Sequence, residues 1–288
     1  EALQRAIDRG APMLRFYRHG DGGFALFNGA NECKAWLIDV ILNKAESRGT
    51  PPSSAPHTGF ERFMANRTLV IADCGAPSMV GKGAHAGTLS LEISVGKQRI
   101  IVNCGAYAGR DEGWKLAQRS TAAHSTMTVD DRNSTVLRDD GSVGDSPENV
   151  VAERHEADGN TWLDLSHDGY KAPLGLIHRR RLYVNSSGTD VRGEDNLEGI
   201  GEQRFAIRFH LHPSVKASLV KDGASVLLRL PDKSGWRMRC SGGVASLQET
   251  IYLGDGHDSR RSEQIVISGG TSQGEAQVKW ALTRLSDS

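Results

Sequence analysis

The stretch that decides the fold is TLSLEISVGKQRIIVN, residues 88–103, in which two apolar segments flank a Gly-Lys pair at 96–97. The first segment alternates apolar and polar residues, as a β-strand with one buried face does. A two-residue connection that begins with glycine is typical of a tight hairpin. The stretch therefore predicts two antiparallel strands in which Asn103 faces Ser90.

Similar short segments follow one another through the rest of the chain, separated by Gly, Asp, Asn or Ser. More than a dozen can be counted, spaced roughly every ten to fifteen residues, and no helical pattern separates them. Parallel strands need long crossover connections, so this spacing favours antiparallel pairing. We therefore expect an all-β domain over residues 58–288, built as a large antiparallel β-sandwich, a supersandwich.

The first part of the chain has a different character. Residues 1–50 show helical spacing of apolar side chains, and we expect Gly10 and Pro12 to interrupt the first helix. Residues 51–57 are rich in proline and serine, which predicts a linker. The chain begins with Glu1 in a sequence typical of the middle of a protein. We expect that a longer amino-terminal part, with any signal peptide, precedes it.

Composition excludes several classes of function. Thirty-five basic residues balance 35 acidic ones, so no overall field draws the protein to nucleic acid or to an anionic membrane. An anionic ligand would have to be held by a local cluster of charges. No apolar run approaches the roughly 18 residues of a membrane span. The four cysteines form no CxxC pair, which argues against a redox motif or a thiolate zinc site.

Three polar residues near the ends of predicted strands form a candidate site. His85 precedes the first strand of the hairpin, Asn103 ends the second, and His124 opens a later one. His85 and Asn103 can meet only if the chain curls back over the strand end, which Gly87 would permit. The spacing therefore leaves two interpretations open, a shared site or the rim of a sheet.

These residues carry a resemblance to a known family. HAGTLSLEISVGKQRIIVNCGAY, followed by RSTAAHSTMTVDD, SHDGY and IHRRRL, resembles the β-sandwich domain of the heparinase II/III-like polysaccharide lyases. The resemblance implies that the helical segment is the tail of an α/α toroid, most of which is missing from this chain. It also implies cleavage of acidic polysaccharides such as glycosaminoglycans by β-elimination, and a location in the periplasm or cell envelope.

The family pattern implies a zinc site that is altered in this chain. Its second histidine and last histidine correspond to His85 and His124. Its carboxylate ligand falls on Asn103, its reactive first histidine on Gly83, and a nearby Asp on Gly87. Neutral amide oxygens are poor zinc ligands. We therefore expect weak zinc binding or none at His85, Asn103 and His124.

β-Elimination needs the uronate carboxylate neutralised, the C5 proton removed and the leaving oxygen protonated. The catalytic candidates are Tyr107, Tyr170 and His85. The candidates for substrate binding are Arg119, His178 and Asn103. The alternative is a catalytically inactive domain that binds an acidic glycan or serves as a structural platform for the toroid. In either case we expect this part of the protein to be inactive alone, because the family's cleft lies between toroid and sandwich.

Overall fold

Two antiparallel sheets packed face to face form the body of the protein, in a computed structural model that describes residues 1–46, 49–79, 83–220, 223 and 225–286. Every ladder between strands in the described part of the chain is antiparallel. The predicted all-β sandwich is therefore confirmed. None of the helices in these ranges is long and apolar enough to cross a membrane.

The first sheet has nine strands. They are β1 Ser54–Ala55, β2 Phe60–Ala65, β3 Thr68–Asp73, β4 Leu91–Val95, β5 Gln98–Val102, β6 Met127–Val129, β11 Arg204–Leu211, β15 Val244–Tyr252 and β16 Arg260–Gly270. Their spatial order is β1-β2-β3-β4-β5-β11-β16-β15, with β6 paired to β11 beside β5. The later strands β11, β15 and β16 thus extend the sheet begun by the predicted hairpin.

The second sheet has eight strands. They are β7 Val150–Ala157, β8 Asn160–His167, β9 Leu176–Val184, β10 Asp190–Gly199, β12 Lys216–Leu219, β13 Ser225–Arg229, β14 Gly235–Ser241 and β17 Ala276–Arg284. Their order is β12-β13-β14-β17-β10-β9-β8-β7. Burial alternates along β9 and β17, so one face of this sheet is packed inward and the other is exposed.

The helices are α1 Ala2–Phe16, α2 Ala35–Lys44, α3 Glu112–Arg119 and the single turn α4 Lys171–Leu174. The expected interruption of the first helix is wrong, because α1 continues through Gly10 and Pro12. Pro12 removes one backbone hydrogen bond, but Ala11 and Phe16 are buried on either side of it. Tertiary packing holds the last turn in place.

The predicted hairpin forms β4 and β5 with its turn at 96–97. A β-bulge after Ile93 places Ile93 opposite Ile101, one residue further along than an unbroken ladder would. The prediction that Asn103 faces Ser90 is therefore wrong by one residue. The bulge leaves Ile100 of β5 without a partner on β4 and shifts the pairing beyond it by one residue.

Four strands were missed by the sequence pattern, namely β1, β2, β10 and β12. The strand β1 lies inside the segment predicted as a linker. The sequence of β10, DVRGEDNLEG, is rich in turn-forming residues, yet it pairs along both edges with β9 and β17. Tertiary pairing overrides local preference in this strand.

A continuous apolar core joins the two sheets. It includes Phe209 of β11 and Trp280 of β17, whose rings meet edge to face with centroids 4.9 Å apart. Such a pair contributes about 0.5–1.5 kcal/mol beyond the area it buries.

A buried ion pair joins neighbouring strands β9 and β10 on the inner face of the second sheet. Arg180 and Asp195 are both fully buried, with Nε and Oδ1 2.6 Å apart. The Nη1 of Arg180 also donates to the carbonyl oxygens of Leu89 and Ser125, at 2.7 and 3.0 Å. Leu89 and Ser125 follow His85 and His124 in the chain, and both histidines belong to the candidate site. The second sheet thus helps to fix the candidate site, which lies at the ends of β4 and β5 in the first sheet.

The helical segment packs on the first sheet. Phe16 at the end of α1 joins a small core with Phe60, Leu69 and Ile71 of β2 and β3. This packing brings the loop after α1 to the open end of the predicted hairpin.

Candidate functional site

A cleft of about 510 Å3 lies beside the loops that precede β4 and follow β5 in the first sheet. It is bounded by α3, the loop after β5, the loop at Asp139 to Gly141 and the loop at Gly29. Asp111 begins α3 by accepting a hydrogen bond from the backbone N–H of Trp114, over 3.1 Å. His85, Tyr107 and other polar side chains face this space.

His85 and His124 meet at the back of the cleft, whereas Asn103, the third residue of the predicted site, bonds to Glu92 and Ser125. The Nδ1 of His85 lies 3.0 Å from the Nε2 of His124, and the Nδ1 of His124 lies 2.7 Å from the carbonyl oxygen of Ser120. A carbonyl oxygen only accepts, so the Nδ1 of His124 must carry the proton. The direction of the chain follows: His85 donates to His124, which donates to Ser120.

Burial keeps both rings of this hydrogen-bond chain neutral. Burial lowers the pKa of His124 to about 4 and lowers that of His85 well below its usual value, with the neighbouring His124 and Arg119 adding to the effect on His85. The remaining nitrogen of His85, Nε2, is an unprotonated acceptor. A Cβ placed on Gly29 would lie 3.7 Å from that atom, so it faces the Gly29 wall of the cleft.

Asn103 has a different set of partners. Its Oδ1 accepts from the backbone N–H of Ser125 over 2.8 Å, and its Nδ2 and its own backbone N–H donate to Glu92, over 3.3 and 2.9 Å. Asn103 is buried. Its amide therefore ties the end of β5 to the segment that follows His124, and its polar atoms are already used.

The family's zinc ion does not fit this arrangement. One imidazole nitrogen of His124 bonds to Ser120 and the other accepts from His85, while the amide oxygen of Asn103 bonds to Ser125. Only one nitrogen of His85 remains as a donor atom for a metal. In the described part of the chain no three His, Cys, Asp or Glu residues are grouped so that they could hold a metal ion.

Arg119, predicted to bind a uronate carboxylate, serves the walls of the cleft instead. Its guanidinium donates to the carbonyl oxygens of Ala84 at 2.8 Å, Ser142 at 3.1 Å and Arg138 at 3.4 Å. The side chain joins the loop that carries His85 to the loop on the opposite side. Its hydrogen-bonding capacity is largely spent on holding the cleft together.

Tyr107 is the predicted tyrosine that does reach the cleft. It is half-buried, and its ring lies 6.2 Å from that of Trp114 on α3, measured between centroids. A Cβ on Gly109 would come within 2.3 Å of the Tyr107 ring, so the glycine lets the ring fold over the loop. Tyr107 and His85 are thus the two catalytic candidates that line the same space.

The structure places Tyr170 and His178 elsewhere, in the core of the sandwich. Tyr170 is fully buried and donates to the carbonyl oxygen of Met127 over 2.8 Å, and burial raises its pKa. His178 is fully buried 2.8 Å from Asp195, and burial lowers its pKa although the carboxylate opposes this. Neither side chain has solvent exposure through which a polysaccharide could reach it.

The cleft has a slight excess of acidic groups. Among the described residues, its lining contains two cations, Lys115 and Arg119, and three carboxylates, Glu112, Asp139 and Asp140. These described side chains offer a polyanion no net positive field.

The sequence analysis did not identify Glu92, the buried carboxylate that accepts hydrogen bonds from Asn103. Glu92 is fully buried, binding His19 over 2.8 Å and the backbone N–H of Leu26 over 3.0 Å as well as Asn103. His19 also bonds to Ser94 over 2.7 Å. The alternating pattern of TLSLEISV suggested an exposed Glu92, because the covering loop after α1 was not anticipated.

Comparison with known proteins agrees with the fold. The model of the family described as "Heparinase II/III-like, C-terminal" matches residues 47–281. Among solved structures, heparan sulfate lyase HepC from Pedobacter heparinus superposes with a TM-score of 0.75 at 13% identity, over 95% of this chain and 46% of that one. A heparinase III superposes with a TM-score of 0.72 at 14% identity, over 99% and 49%. At these identities the likeness shows the fold alone.

A curated relative matches at higher identity. FtsZ-localized protein C from Caulobacter vibrioides (strain NA1000 / CB15N) is 33% identical over 314 aligned residues, which cover 99% of this chain and 52% of the relative. The chain thus spans about half the length of the relative. The family match covers most of the chain and agrees with the observed sandwich. The chain belongs to the heparinase II/III-like family, of which it contains the C-terminal domain.

Proposed function

We propose that this sandwich is a binding domain within a lyase-like protein, and that it does not carry out β-elimination. The observation that carries the proposal is the hydrogen-bond chain from His85 through His124 to Ser120. It uses three of the four imidazole nitrogens, and burial keeps both rings neutral. The groups that would assist elimination are thereby engaged in structure.

The rest of the cleft supports the same proposal. A uronate substrate needs its carboxylate neutralised, but Arg119 is bonded to three backbone carbonyls and the lining has more carboxylates than cations. A general base works best with a pKa near the working pH. Burial lowers the pKa of His85 far below that range, which makes its free nitrogen a weak base.

The relative's name suggests the partner. FtsZ-localized protein C is named for its position with FtsZ and not for cleavage of a polysaccharide. We propose that the full-length protein containing this domain is likewise recruited to FtsZ. Since the chain spans about half of that relative, the surface that recruits it could belong to either half.

Polysaccharide lyase activity is the second candidate function, favoured by one specific feature. The unprotonated Nε2 of His85 faces the cleft that Tyr107 also lines, which gives a possible base and acid. The missing toroid would have to provide the cation that neutralises the uronate.

Two assays of the full-length protein separate these functions. We expect no rise in the ultraviolet absorbance of unsaturated uronates with heparan sulfate, chondroitin sulfate, hyaluronan or alginate, and we expect co-sedimentation with FtsZ polymers. Product formation that falls in both His85→Ala and Tyr107→Phe would overturn the binding proposal. Absence from the pellet of FtsZ polymers would overturn the proposed partner.

A further inference from the structure

A groove of about 810 Å3 crosses the exposed face of the second sheet, on the side away from the core. It is separate from the cleft, and none of the candidate residues lies in it. It runs across the strands β8, β9, β10, β17 and β14.

The groove follows from one row of side chains in register on neighbouring strands. Trp162 pairs with Tyr183, Tyr183 with Arg192, Arg192 with Ala281, and Ala281 with Arg239. Four of these side chains are large and Ala281 is small, so the row has a gap above Ala281. Strands lie about 4.8 Å apart, which places the backbones of Arg192 and Arg239 about 10 Å from each other across this gap.

One wall of the groove is held rigidly. The rings of Trp162 and Tyr183 are tilted by 46° with centroids 5.2 Å apart, and the guanidinium of Arg192 lies 5.7 Å from the centre of the Tyr183 ring. Asp190 holds Arg192 from its own strand, over 2.8 Å to Nε. Tyr183 thus stands between Trp162 and Arg192 in the row, in contact with both.

Among the described residues, cations outnumber carboxylates in the lining, and three of the four cations are paired. The lining contains four cations, Arg181, Arg192, Arg239 and Lys279, against the single carboxylate of Glu194. Flanking carboxylates pair with Arg181 and Arg192, and Glu194 lies 3.6 Å from Lys279. Arg239 is exposed and makes no ion pair with any residue that the structure describes.

We propose that this groove binds an acidic peptide segment of a partner protein, lying extended across the strands. In the extended polyproline II conformation, which has three residues per turn, two acidic side chains three residues apart point to the same side and lie about 9 Å from each other, close to the separation of Arg192 and Arg239. Both guanidiniums can then bind carboxylates in two-pronged contacts. The inference rests on the proposed binding role and deepens it by giving the chemistry and place of the partner.

The test uses the full-length protein and a short fluorescein-labelled peptide with Glu at every third position. We expect Arg239→Ala to weaken binding about ten-fold, which is the loss of one strong charge-assisted contact. Arg229→Ala is the matched control, because Arg229 lies on the same face at the end of β13, is exposed, and does not line the groove. Ala281→Phe should block binding without any change of charge.

Three results would overturn the proposal. One is an equal loss in Arg239→Ala and Arg229→Ala, and another is equal binding of a peptide with Gln in place of Glu. The third is binding of a heparin oligosaccharide at Arg239 with no binding of the peptide, which would make the occupant a glycan. Thermal unfolding of each variant shows whether it is folded. Lyase activity of the wild-type protein would overturn the proposed function and leave the peptide result standing.

Discussion

The Nδ1 of His85 donates a hydrogen bond to the Nε2 of His124 over 3.0 Å, in the part of the fold where the family resemblance places zinc. The two rings lie nearly perpendicular, with centroids 5.1 Å apart. Their geometry is that of a structural polar pair at the back of a cleft. The shape of the back of the cleft therefore depends on the residues that hold the rings of His85 and His124 in place.

Gly87 is one such element, and we predict that Gly87→Ala destabilises the protein by roughly 1–3 kcal/mol through overpacking. A Cβ at this position would lie 2.8 Å from Cδ2 of His124 and 3.1 Å from its Nε2. The imidazole is fixed on both sides and cannot yield without losing a hydrogen bond. The measurement is urea unfolding.

The same glycine-to-alanine substitution at Gly10 is expected to have the opposite effect on stability. Gly10 lies within α1, and a Cβ there meets no atom within 4 Å among the described residues. Gly10→Ala should stabilise the protein by about 0.5–1 kcal/mol, since alanine favours a helix more than glycine does. Changes of the same sign in both variants would show that the contact with His124 does not decide the outcome.

The sequence was sufficient for the sandwich and for the meeting of two histidines. Alternation located the hairpin and most other strands. It was insufficient where tertiary contacts decide. The sequence of β10 looks like a turn because its Gly, Asp and Asn residues are poor strand formers, yet Asp195 is buried there by an ion pair.

Two further errors have the same origin. Tyr170 looked accessible because it follows a strand end, but its short helical turn folds it into the core. Glu92 looked exposed because its covering loop lies more than sixty residues earlier in the chain. Periodicity describes which residues of one strand share a face, and it does not reveal what covers that face.

Asp195 is predicted to be among the most sensitive residues for stability. Asp195→Ala would leave Arg180 buried without a carboxylate and remove the acceptor of His178 and of the Trp280 Nε1 at 2.9 Å. The expected loss is about 3–5 kcal/mol. The exposed pair formed by Asp164 and Arg181 is the control.

Asp164→Ala should cost about 0.2–1 kcal/mol, because solvent screens an exposed ion pair. Both variants are compared by urea unfolding near neutral pH. Similar losses of stability in the two variants would show that the buried pair of Arg180 and Asp195 contributes no more than an exposed ion pair.

Stability should fall as the pH is lowered from about 7 to 5. Burial lowers the pKa of His124 to about 4 from its ordinary 6.5, so between these values the unfolded chain binds a proton that the folded chain does not. At pH 5 this difference is worth about 2 kcal/mol for this histidine alone. His210, with a pKa lowered by burial to about 3, acts in the same direction.

Asp73 opposes this trend over the whole range from pH 7 to pH 5. Burial raises its pKa to about 7, so its contribution is greatest below its ordinary pKa and is lost as the pH rises through 7. The test is urea unfolding at pH 7 and pH 5. His124→Gln should reduce the difference between the two pH values, whereas His155→Gln, at an exposed position, should leave it unchanged. If the stability of the wild type and of both variants depends equally on pH, protonation of His124 is not the source of that dependence.

Asn103→Asp restores the carboxylate of the family pattern, and we predict that it does not create a zinc site. The new carboxylate would stand beside Glu92, with which the present amide shares a hydrogen bond of 3.3 Å. Two buried carboxylates in contact repel each other, so one must take up a proton or the structure must shift. We expect a loss of roughly 3 kcal/mol in stability.

Asn103→Ala should cost less, about 1–3 kcal/mol, because it removes hydrogen bonds without adding a charge. Elemental analysis of both variants and the wild type, with urea unfolding of each, decides the question. Stoichiometric zinc in Asn103→Asp, with stability equal to that of the wild type, would show that His85 and His124 can turn from each other to a metal.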